Sequence, residues 1–98
     1  MSKSASFRIR RIYYDQIVAG TKREELRKDC DFWRRRLINT DSPPDTAVFV
    51  CGKDVHRREI TGVRIDQPEK VLGRPLSEQG KRDIPTATCI VVELGDRR

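Results

Sequence analysis

Hydrophobic and polar positions along the chain change period from segment to segment, and each change marks an element. Phe7-Arg8-Ile9-Arg10 alternates, which predicts a first strand. Tyr14, Ile17 and Val18 then fall at helical spacing. With Asp15 in the first turn and Gly20 at the exit, they predict a short helix from about Tyr13 to Ala19. Gly20 lets the chain reverse into the charged run Arg23–Arg27. If that run is extended, Arg23, Glu25 and Arg27 share one face and Glu24 and Leu26 the other, with Lys22 in the turn before it. Asp31–Ile38 supports one or two helical turns, in which Trp33, Arg36 and Leu37 share a face. Asn39–Asp45, with Pro43-Pro44, is a loop.

Beyond the loop the pattern is that of strands. Thr46–Cys51 barely alternates and predicts a short central strand. Gly52-Lys53-Asp54 has turn chemistry, and Glu59–Ile65 returns at strand spacing, so the two segments read as a hairpin. Gln67–Pro85 is a polar excursion with room for a helical turn near Leu76–Lys81. Thr86–Leu94 is the longest β-branched run and closes the sheet. The sum is an α+β fold: a small, mostly antiparallel β-barrel with one or two short helices. Residues 1–98 form one domain, with 1–5 and 95–98 as flexible ends.

Composition narrows this picture. Apolar residues are 36% of the chain and charged residues 37%, so the core is economical and the surface dense with charge. No run approaches the roughly 18 apolar residues of a membrane span, and the first residues lack the apolar stretch of a secretory signal. Three cysteines, Cys30, Cys51 and Cys89, are an odd count without CxxC spacing, which points to a reduced, cytoplasmic setting. One histidine, His56, five residues after Cys51, gives no metal-ligand spacing, and neither a phosphate loop nor a serine elbow is present. No cofactor or metal is expected.

Charge is unevenly placed. Residues 1–40 hold 11 Lys and Arg against 5 Asp and Glu, whereas residues 41–98 hold 10 of each. A one-sided basic field favours a polyanion, most often nucleic acid. Within it, Lys22, Glu25 and Arg27 make either a solvated face of weak salt bridges or a small polar site. In a site, Lys22 would clamp a phosphate or carbonyl, and Glu25 would orient the cations or accept from a nucleobase amine. Arg34-Arg35-Arg36 beside Phe32 and Trp33 could hold phosphates while an aromatic stacks on a base. A lone tryptophan in a small domain is more often core, and Trp33 is expected to face inward. Tyr14 belongs with the helix's apolar stripe, which leaves Tyr13 freer to approach a ligand.

Gly20-x-Lys22-x-x-Glu25-x-Arg27, after a strand and a short helix, resembles the G-x-K-x-x-E-x-R signature of ASCH domains, in the PUA-like superfamily. A later hairpin (Val48–Ile65) and terminal strand (Thr88–Leu94) extend the resemblance over most of the chain. The resemblance implies a barrel-like fold whose signature residues line a cleft, and RNA binding or RNA-associated regulation. Some small members of the family are amidohydrolases on N4-acylated cytidine or nucleases. The amidohydrolase branch carries a proposed nucleophilic threonine where this chain has Glu25, and Thr21 is not at the matching position. That branch also uses a later glutamate, for which Glu69 and Glu78 are the candidates here. The expectation is therefore a domain binding RNA or a nucleoside- or nucleotide-containing ligand through Lys22, Glu25, Arg27, Tyr13, Arg34 and Arg35. The alternative is a small metal-independent hydrolase with Lys22 and Glu25 as its catalytic groups.

Overall fold

The computed structural model describes residues 3–98. Five strands form one sheet in the order β1-β3-β4-β5-β2: β1 Ser4–Arg8, β2 Glu24–Lys28, β3 Thr46–Cys51, β4 Asp54–Asp66 and β5 Cys89–Arg97. Four short helices lie between them: α1 Arg11–Ala19, α2 Asp31–Leu37, α3 Pro68–Leu72 and α4 Glu78–Asp83.

The α+β class is as expected, but the barrel is not closed. The sheet curls into a half-barrel whose edge strands, β1 and β2, do not pair with each other. β1 runs parallel to β3, while the other three pairings are antiparallel. Four helices replace the one or two expected, because Pro68 at a helix start and Ser77 as a cap turn the polar excursion into two short helices. The first strand starts earlier than its apolar pair suggested: Ser4 pairs with Thr46 and Ala5 with Ala47. Of the ends expected to be flexible, Ser4, Ala5 and residues 95–97 lie within strands; Met1 and Ser2 lie outside the described residues. At the other end Arg97 pairs with Arg58, and Arg98 N–H donates to Arg57 O.

The hairpin β3–β4 turns through Gly52-Lys53, with Gly52 at φ 59°, where a side chain would be strained. Strand β4 begins directly after it, five residues before the expected Glu59. Helix α1 starts at Arg11, so Asp15 sits beyond the first turn and faces Arg11 at 3.8 Å. Of its predicted stripe, Tyr14 and Ile17 are buried and Val18 is exposed.

Two apolar clusters divide the sheet. The larger joins Phe7, Ile17, Leu37, Phe49, Ile90 and Val92, with Trp33 packed on its border. The smaller gathers Ile84, Cys89 and Val91 with Leu26, Val71 and Leu76, under the α3–α4 excursion. Cys89-Ile90-Val91-Val92 is buried on both faces, which explains its unbroken apolar run. Burial pushes the Cys89 thiol up to about 11, and all three cysteines are unpaired. No helix among the described residues is long and apolar enough to cross a membrane.

Candidate anion-binding cleft at the open seam

The charged octet Gly20–Arg27 lands at the seam between the two sheet edges. Gly20, at φ 82°, ends α1 with its N–H on Gln16 O and Ile17 O. Gln16 O also accepts from Thr21 and Lys22 N–H. The turn is therefore closed by backbone bonds, and it delivers Lys22 to the start of β2.

In β2, Glu25 opposes Val92 and Arg27 opposes Ile90, so both project onto the main-core face, while Leu26 opposes Val91 on the other. Glu25 is 6% exposed and is held from both sides. Arg27 donates to its Oε2 from Nε at 3.1 Å and from Nη2 at 2.7 Å, and Lys22 Nζ lies 3.5 Å from Oε1. Lys22 Nζ also donates to Glu24 O at 2.7 Å, and Arg27 Nη2 donates to Arg8 O at 3.1 Å. That last bond crosses from β2 to β1. A side chain thus ties the two edges that a closed barrel would join by its ladder, which blunts both against pairing with other chains. The Arg27 guanidinium lies 5.1 Å from the ring centres of both Phe7 and Trp33, and the Lys22 ammonium 5.6 Å from that of Tyr13. Arg27 Nη1 makes no hydrogen bond among the described residues, and no unsatisfied buried side-chain polar atom occurs among them, so its N–H groups reach solvent.

The cleft has a volume of about 590 Å³, within the range of small-ligand sites. Arg8 and Arg10 form one wall, Lys22 to Lys28 the floor, and the segment from Leu72 to Ile84 the other wall. Seven basic side chains line it (Arg8, Arg10, Lys22, Arg27, Lys28, Arg74, Arg82) against two carboxylates, Glu25 and Asp83. Such an excess attracts anions.

Of the residues singled out by sequence, Tyr13, Lys22, Glu25 and Arg27 meet in this cleft. Arg34 and Arg35 do not line it. Arg34 is tied to Asp29, which also accepts from Thr88 Oγ1. These bonds, those to Arg34 foremost, hold the Asp29 carboxyl down to about 2. Arg35 is exposed, and Arg36 folds over Phe32, its guanidinium carbon 3.5 Å from the ring centre. Neither Glu69 nor Glu78 lines the cleft; the later carboxylate there is Asp83. Arg8, Arg10, Lys28, Arg74 and Arg82 went unnoticed in the sequence. Arg8 and Arg10 carried a weak signal as the polar members of an alternating segment, whereas Arg74 and Arg82 carried none, since they belong to the net-neutral half.

Comparison with protein-family models, curated proteins and solved structures yields no match.

His56 lies outside the cleft, buried at the foot of α1. It accepts from Arg58 Nε at 3.0 Å and meets the Tyr14 ring edge-on. Burial, then the charges of Arg58 and Arg97, lower its pKa. Arg58 also donates to Ile17 O and Gly95 O, stapling the end of α1 to β5. Among the described residues no three His, Cys, Asp or Glu are grouped to hold a metal ion.

Proposed function

We propose that this chain is an ASCH-type domain of the PUA-like class, binding RNA or a nucleotide-containing ligand in the cleft between β1, β2 and the α3–α4 excursion. The observation that carries the reading is the charge of the cleft: seven cations against two carboxylates, both already engaged by cations of the chain. Lys22 and Arg27 contact ligand phosphate or other polar atoms. Glu25 holds these two cations in place, since its two oxygens face Lys22 and Arg27 respectively. Tyr13, about 38% exposed, offers the ligand an aromatic surface.

A labelled single-stranded RNA titrated by fluorescence anisotropy tests this. Lys22→Ala and Arg27→Ala should each weaken binding about tenfold, the size of one charge-assisted hydrogen bond. Unchanged binding in both variants, at moderate salt, would remove the cleft from the reading.

The hydrolytic alternative has the pairing of Lys22 with Glu25 in its favour. Against it, the nearby hydroxyls are engaged in backbone structure: Thr21 Oγ1 donates to Gln16 O, and Ser77 Oγ accepts from Gly80 N–H as the cap of α4. A gel of the RNA recovered after titration, with chelator present, distinguishes the two. Cleaved RNA would put hydrolysis first.

A further inference from the structure

We infer that the cleft recognises its ligand by a chain of phosphates rather than by its bases, so that it takes a nucleic-acid backbone with little regard to sequence. This rests on the proposed function and narrows it.

The first support is the distribution of uncompensated charge. Glu25 is shared by Lys22 and Arg27, and Asp83 lies 3.7 Å from Arg10. Arg8, Lys28, Arg74 and Arg82 have no carboxylate partner among the described residues, and all four are exposed. They sit at the ends of β1 and β2, between α3 and α4, and on α4. Positive charge spread around the cleft on β1, β2, the α3–α4 connection and α4 matches several phosphates in series better than one.

The second support is what the cleft lacks as a reader of bases. Its lining contains no Asn, Gln, Thr or His among the described residues; the hydroxyls of Tyr13 and Ser77 are its neutral side-chain groups that both donate and accept, and Ser77 Oγ already accepts from Gly80 N–H. The Glu25 oxygens are taken up by Arg27 and Lys22. Trp33, only partly buried, is stacked on Phe7 at 5.2 Å, meets Phe32 edge-on and carries Arg27, which leaves less of its ring to a base. Tyr13 is left as the exposed aromatic of the cleft, with Lys22 over its ring. Guanidinium and ammonium donors predominate, and they suit phosphate oxygens. Asp83 is then a competitor: it holds Arg10, and an entering phosphate takes its place.

The test titrates the full chain with labelled ten-nucleotide RNAs of different sequence, an abasic strand of equal length, and uridine monophosphate. Inorganic polyphosphate serves as a competitor. The RNAs and the abasic strand should bind within about threefold of one another. Four uncompensated cations at about 0.7 each on a single strand give a log–log salt slope near −3, or about a fiftyfold loss between 50 and 200 mM salt. Arg74→Ser with Arg82→Ser should make the slope shallower by about 1.4 without lowering Tm, since both side chains are exposed and α4 buries no residue. Asp83→Asn should tighten binding several-fold by releasing Arg10. A strong dependence on base identity, or an abasic strand bound more than about thirtyfold worse than RNA, would overturn the inference while leaving RNA binding in place. Monophosphate binding as tight as the ten-mer, with a slope near −1, would do the same. Folded protein that binds no strand but does bind polyphosphate would keep the phosphate chain and remove RNA; no binding of either would remove both.

Discussion

The floor of the cleft and its excursion wall carry the same charge in different ways. On the sheet side, Lys22 and Arg27 are mostly buried, share Glu25, lie over aromatic rings and bond to backbone carbonyls. On the excursion side, Arg74 and Arg82 are exposed and unpaired, and α4 buries none of its residues. The first set is part of the architecture, since Arg27 ties β2 to β1 where the ladder is missing. The second set adds nothing comparable to the fold. Cations that hold a seam also present a rigid donor array to a ligand, whereas cations left unpaired supply the salt-sensitive share of affinity.

The contrast can be broken most strongly at Glu25. Glu25→Ala leaves two partly buried cations facing each other and should cost roughly 3 kcal/mol in urea unfolding, with binding weakened as Lys22 and Arg27 lose their positions. A loss below about 0.5 kcal/mol would show that the triad is a surface ornament. Next is Arg58→Ala, which removes bonds to His56, Ile17 O and Gly95 O and should cost about 2 kcal/mol while leaving the salt slope of binding unchanged. A changed slope would mean that the foot of α1 feeds into the cleft.

Asp29→Asn should cost about 1–2 kcal/mol at neutral pH. Because the carboxyl is held near 2 in the fold against an ordinary 3.8, its contribution is complete above 3.8 and fades as pH falls toward 2. Wild type and variant should therefore converge in Tm over that window. His56 works at higher pH: its lowered pKa means the unfolded chain binds the proton more readily, so stability declines as pH falls through 6.5. In His56→Gln, if it folds, that step should be absent. The smallest effect belongs to the excursion wall, where Arg74→Ser and Arg82→Ser should each move stability by less than about 0.5 kcal/mol.

Local chemistry made much of this legible. Gly20 after a helical stripe marked the end of α1, Gly52-Lys53 marked a hairpin, and the β-branched run Thr86–Leu94 marked the last strand. The strand period put Glu25 and Arg27 on one face, as their hydrogen bonds require. Where sequence reasoning failed, the decision depended on distant partners. Arg34 looked as suitable for a phosphate as Arg27, but Asp29, brought beside it by the β2–α2 connection, takes its guanidinium. Ser4 and Ala5 looked like a loose end until β3 offered them a parallel partner.

By itself, then, the sequence determined the turns, the short periodic elements, and the clustering of Lys22, Glu25 and Arg27, because glycine geometry, side-chain period and charge act over a few residues. Only the tertiary structure decided that the barrel stays open, that a guanidinium spans the gap, and that Arg74 and Arg82 face the octet across a cleft. Strand order, and the fold of the excursion back over β2, bring together residues some fifty positions apart, and no local propensity encodes that distance.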